Sequence, residues 1–151
     1  TAKIYGLDWA EASQKVIGEM VSKGILDNAE GKRFDFFNPD KSFEIDPGGV
    51  VFTIAALEQV GDKHKDFVDY LVSKKPELCI HIEPVAELLD EQVLLDYLST
   101  QYIKKRNYLF GFLDNLRDLE KAGKVEIVSA TRNKIGHLFL EGYMIIVWRA
   151  K

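Results

Sequence analysis

The chain has 151 residues, of which 46% are hydrophobic and 29% charged, the size and composition of one globular domain spanning residues 1–151 rather than of a disordered chain. Its 20 Lys and Arg against 24 Asp and Glu leave a net charge of −4, which argues against duplex nucleic acid or an anionic membrane as partner, since either demands a concentrated basic face. The single cysteine, Cys79, excludes an internal disulfide and a Cys-rich zinc site, and within Leu78-Cys79-Ile80 it reads as a small buried hydrophobe. No apolar stretch approaches the ~20 residues of a membrane span. Asp8, Glu11 and Lys15 interrupt any leader-like apolar region, so a cytoplasmic setting is expected.

Residues 3–8 (K-I-Y-G-L-D) read as a short strand ending in an acid. Residues 10–20 follow as an amphipathic helix, with Ala12, Val16, Ile17, Met20 and Val21 at helical spacing and Gly24 placed to cap the end. A second strand is expected over 33–37, ending at Asn38-Pro39. The turn Asp46-Pro47-Gly48-Gly49 feeds a third at 50–54. A helix over 63–73 presents Phe67, Val68, Tyr70, Leu71 and Val72 on its apolar side and closes at Lys74-Lys75-Pro76. Residues 78–83 (L-C-I-H-I-E) make a fourth strand, stopped by Pro84. The pattern from 90 to 119 is helical, with a break expected near 104–107. Residues 124–131 and 142–149 are then strand-like with no helix between them, so they are expected to pair antiparallel across the connection 132–141, where Gly136 suits a turn.

Alternating strands and helices predict an α/β fold with a Rossmann-like, mostly parallel sheet, flanking helices and a C-terminal antiparallel strand pair. Ligand sites in such sheets gather at the carboxyl ends of the strands. Asp8, Asn38, Thr53 with Glu58-Gln59, and Glu83 all fall there.

These residues resemble the class I, S-adenosylmethionine-dependent methyltransferase family. The resemblance runs from Y-G-L-D-W-A-E-A at residues 5–12 through T-I-A-A-L-E-Q-V-G at 53–61 to H-I-E-P at 81–84, with the closing antiparallel pair. It covers nearly the whole chain and rests on the order of its motifs. One departure stands out: the family begins with a strand leading into a glycine-rich loop, whereas glycines 6, 18, 24 and 31 are scattered here and the first strand resembles the family's second. The family's first strand is therefore expected to be missing. A missing N-terminal segment or a homo-oligomeric partner would have to fill its place.

The resemblance implies S-adenosylmethionine as cofactor and distributes roles. Asp8 can accept from both hydroxyls of a ribose or cap the following helix, and Trp9 can offer the adenine an apolar surface. Asp35 and Phe36 stand where the family contacts the adenine edge, and Thr53 opens the loop facing donor and acceptor. Glu58 and Glu83 are the candidate catalytic carboxylates, Glu83 to orient or deprotonate an acceptor. Gln59, Tyr102 and Arg106 are candidates for binding that acceptor, the last two in a lid with Tyr108. Arg132 and His137 are weaker candidates. His81, Glu83 and Glu87 have no dedicated ligand spacing, so no metal is expected.

Methyl transfer is a direct displacement that needs positioning more than a fixed nucleophile. No Gly-x-Ser-x-Gly elbow or Walker loop is present. The expected function is methylation of a small molecule, since no basic groove with aromatic interleaving points to nucleic acid. A non-catalytic binding module and a nicotinamide dehydrogenase fragment are the alternatives, the second disfavoured by the terminal hairpin.

Overall fold

A parallel strand pair joined through one helix makes the N-terminal part of the molecule. Strand β1 (Ile4–Asp8) and β2 (Ala29–Arg33) align Gly6 with Gly31 and Asp8 with Arg33, and α1 (Glu11–Ser22) connects them. The computed structural model describes residues 2–137, 140–141 and 143–151, and it divides into two compact units, Thr1–Asp40 and Lys41–Lys151.

In the first unit, β2 lies at 29–33 rather than at 33–37. Its sequence A-E-G-K-R has no apolar alternation, so pattern alone does not reveal it; backbone geometry places it. A Cβ on Gly31 would stand 2.7 Å from Cα of Gln14, and one on Gly6 would stand 2.3 Å from Cδ1 of Ile17. Only glycine lets the helix approach the strand pair this closely. The F-D-F segment instead leaves the strand as a turn, in which Phe37 N–H donates to the Asp35 carboxylate at 2.8 Å. The helix ends as expected: Gly24, at φ +68°, and Ile25 donate to the carbonyls of Val21 and Met20. Its apolar stripe is only partly covered, with Val16 56% exposed, because two strands offer a narrow surface.

The second unit holds a four-stranded sheet in the order β3-β4-β8-β5. Strands β3 (Val50–Ile54) and β4 (Leu78–Glu83) are parallel; β8 (Met144–Ala150) runs antiparallel between β4 and β5 (Val125–Thr131). The expected C-terminal pair is therefore present, with a register shift between Ile127 and Ser129. The connection folds back as β6 (Gly136–His137) against β7 (Leu140–Glu141), so Gly136 sits in a strand and not a turn. Gly142 and the side chain of His137 lie outside the described residues.

Pairing register sorts the sheet into two faces. Thr53, Cys79, His81, Glu83, Met144, Ile146 and Trp148 share the buried face, closed by Phe67, Val68 and Leu71 of α2 (Lys65–Lys74) and by Phe112, Leu113 and Leu116 of α4 (Phe112–Lys121). Val50, Phe52 and Ile54 alternate to the other face and stay 49%, 64% and 52% exposed. The long helical stretch breaks as predicted: α3 (Leu94–Arg106) ends at Asn107, whose φ of 52° turns the chain before α4. No helix among the described residues is long and apolar enough to cross a membrane.

Candidate functional site

The loop leaving the carboxyl end of β3 is held from below by β4. Glu83 is fully buried, and its carboxylate accepts from the backbone N–H of Ala56 at 3.2 Å, Leu57 at 3.1 Å and Glu58 at 3.1 Å. These donors open a short 3-10 turn, Leu57–Val60, so the carboxylate satisfies N–H groups that would otherwise be orphaned. Burial pushes the Glu83 carboxyl above the usual range, while Thr53 and the three N–H groups pull it down. Ala55 enters the loop at φ +47°, an uncommon value for a residue with a Cβ. The sequence pointed to Glu83 as a base for the acceptor. In the structure it is completely buried with three backbone donors, and it positions the loop.

Thr53 belongs to the same network. Only 6% exposed, its hydroxyl bonds both the Glu83 carboxylate and, at 3.0 Å, Nδ1 of His81. Thr53, expected to open the loop that faces the cofactor, is thus largely covered within this network. Where the hydroxyl donates to the Glu83 carboxylate, it accepts in turn from His81 Nδ1–H. The imidazole is fully buried against Phe112, Trp148 and Phe67, and burial lowers its pKa to about 3. His81 is a neutral core histidine.

Five residues singled out in the sequence lie on the loop and at the end of α3: Glu58 and Gln59 on the first, Tyr102, Arg106 and Tyr108 at the second. Glu58 is half-buried, and burial with the neighbouring Glu83 charge pushes its carboxyl up while Arg106 opposes the shift. Arg106 ends α3 with its guanidinium 5.5 Å from the Tyr108 ring centre and Nη2 3.4 Å from that hydroxyl. Tyr102, one turn earlier on α3, meets Tyr108 edge-on at 6.0 Å. Gln59 is exposed on the loop beside Glu58.

Asp8 ends β1 in the first unit, as predicted, and is part-exposed. Its carboxylate accepts from Ala10 N–H at 2.8 Å and from the Ser13 hydroxyl at 2.7 Å; these bonds, the first foremost, lower its pKa. A carboxylate offers about four lone-pair positions, so positions remain for an outside donor. Trp9 beside it is 74% exposed. Asp35 is exposed and Phe36 half-buried just beyond β2, where Phe36 meets Phe34 edge-on at 6.3 Å.

The sequence missed one polar cluster. Arg132 forks onto Asp96 at 2.6 and 2.9 Å and onto Glu141 at 2.6 Å, tying the β6–β7 connection to α3. The signal existed only as the wide spacing of three charged residues, which a pattern reading cannot join. Among the described residues no group of three or more His, Cys, Asp or Glu is arranged to hold a metal.

No protein-family model and no curated protein matches this sequence. Solved structures match it in fold. That of N,N-8-amino-8-demethyl-D-riboflavin dimethyltransferase from Streptomyces davawensis aligns with 99% of this chain and 43% of its own, at a TM-score of 0.61 and 15% identity. The apo S-adenosylmethionine-dependent methyltransferase SibL aligns with 97% of this chain and 43% of its own, at 0.61 and 11% identity. The methyltransferase domain of bacterial CtHen1-C aligns with 97% and 76%, at 0.59 and 13% identity. The chain thus spans 43% of the length of the first two. Parallel strands, flanking helices and the antiparallel C-terminal pair form a fold similar to that of these methyltransferases.

Proposed function

We propose that this chain is part of an S-adenosylmethionine-dependent methyltransferase acting on a small molecule. The observation that carries the reading is the fold, similar along nearly all of this chain to proteins described as methyltransferases. The donor would supply an electrophilic methyl carbon on a sulfonium. Asp8 is the residue for the ribose hydroxyls and Trp9 for the adenine; Asp35 and Phe36 serve the adenine edge. In the second unit Glu58 accepts the proton that an acceptor hydroxyl or amine gives up. Gln59, Tyr102 and Arg106 hold the acceptor.

A donor site of this kind also needs close backbone approach, which a glycine-rich loop supplies and residues 1–151 do not contain. Among the described residues, β1 pairs only with β2 and β3 only with β4, leaving each with an unpaired edge. We propose that an added strand carrying such a loop pairs at one of these edges. Titration with S-adenosylhomocysteine, S-adenosylmethionine and NAD tests the reading. The chain alone is expected to bind the first two weakly, a version extended by strand, glycine loop and helix to bind at micromolar level, and Asp8→Ala in that version to lose about 1–3 kcal/mol. Preference for NAD would favour a dehydrogenase; no binding by the extended version would favour a non-catalytic module. Micromolar binding by the chain alone, as a monomer, would overturn the need for the loop.

A further inference from the structure

We infer that the outer face of α3 docks a second copy of this chain, the two helices packing antiparallel about a two-fold axis. The inference lies outside the methyltransferase reading and does not depend on it. This helix is turned against its own chemistry. Asp96, Ser99 and Thr100 are buried with Ile103, whereas Leu94, Leu95, Tyr97 and Leu98 are 70%, 57%, 43% and 40% exposed. At roughly 3.6 residues per turn the buried positions share one side. Leu94, Leu98, Gln101 and Lys105 line the opposite one. Val93, 50% exposed, extends the apolar surface before the first turn.

Ion pairs fix the helix in this rotation. Arg132 forks onto Asp96 at 2.6 and 2.9 Å and onto Glu141 at 2.6 Å, and Asp96 also accepts from Asp90 N–H at 2.8 Å. Turning the leucines inward would break that fork and strand its charges. The apolar face therefore stays outward, and a contiguous face of this kind marks an interaction surface.

The charges at its two ends select the occupant. Asp90 precedes α3 and Lys105 lies in its last turn. Glu91 is taken up by Lys104 at 3.2 Å, while Asp90 and Lys105 form no ion pair among the described residues. A second α3 running antiparallel sets the Asp90 end of one copy beside the Lys105 end of the other, twice, with the leucines between. Parallel packing would instead set like charges together and align the helix dipoles. Positions 90 and 105 flank the Tyr97–Leu98 step symmetrically, so this register brings the two Leu98 side chains together at the axis. One face meeting itself closes as a dimer.

The test is sedimentation velocity on the chain from about 1 μM to 1 mM, where a monomer–dimer equilibrium with a dissociation constant of ~10–100 μM is expected for so small a contact. Leu98→Asp should weaken the dimer at least about tenfold, the scale of a central interface residue, with the circular dichroism unchanged. Lys105→Asp should weaken it as well, and Asp90→Lys added to that variant should restore it. Under mild oxidant Leu98→Cys should give a disulfide-linked dimer, because the native Cys79 is fully buried. Phe52→Lys, on the exposed face of β3, should leave the equilibrium unchanged. A chain monomeric to 1 mM, a dimer weakened by Phe52→Lys but not by Leu98→Asp, or no rescue by the charge exchange would each overturn the proposal. So would a monomeric extended version whose α3 amides gain hydrogen-exchange protection, which would assign the face to another segment of the same protein.

Discussion

Two carboxylates end strands of this molecule, Asp8 on β1 and Glu83 on β4, and their surroundings set them to opposite uses. Asp8 takes both its donors from the next five residues and stays part-exposed; Glu83 takes three from a loop 25 to 27 residues earlier and has no exposed surface. The pKa of the first is lowered by local hydrogen bonds, and that of the second is raised by burial in spite of them. Asp96 shows that burial alone does not set the direction: only 7% exposed, its carboxyl is lowered because Arg132 faces it. An acid at a strand end thus stays open to solvent where its donors are local and becomes a loop anchor where they are distant.

The strongest way to break this contrast is acid. His81 shares the Thr53 hydroxyl with Glu83, and its pKa falls from 6.5 to about 3 on folding. Its contribution to stability is complete above the unfolded value and is lost as pH falls through that window, on the order of 4–5 kcal/mol. Glu83, shifted upward, runs the other way, its contribution lost as pH rises past its unfolded value. The difference between the parent and His81→Gln in urea melts across this range isolates the histidine. Equal pH dependence in the two proteins would mean that His81 is not buried neutral.

Removing the anchor ranks next. Glu83→Ala strands three N–H groups in a closed site and is expected to lower stability by about 3–5 kcal/mol, with faster amide exchange at Ala56–Glu58. Asp8→Ala should cost only about 0.5–2 kcal/mol, the scale of a lost helix-start hydrogen bond. Comparable losses in the two variants would erase the distinction between open and closed carboxylates.

Most of the architecture was legible in the sequence because its second half is patterned by burial. L-C-I-H-I-E alternates in and out along β4, and the C-terminal strands carry their apolar residues at the same period. The first unit was less legible because β2 is set by pairing and by glycine contacts, neither of which leaves an apolar rhythm. Near the loop, the nearness of Tyr102, Arg106 and Tyr108 could be anticipated from a break in a helical run, and the place of Glu58 from the loop that follows a strand. The function of Glu83 could not: a buried carboxylate in a strand announces that it needs partners, but its partners are backbone N–H groups, which every sequence has and no sequence displays.

The closeness of α1 to β2 makes Gly31 a gauge of how much change the first unit tolerates. A methyl group there would meet helix backbone at 2.7 Å, and backbone cannot rotate aside as a side-chain tip can. A systematic substitution scan should therefore record this residue, which contributes no side chain and no charge, among the least replaceable in the unit. Gly18, with open space where its Cβ would stand, should accept alanine freely. Mutational intolerance here would follow clearance between chain segments rather than chemical identity.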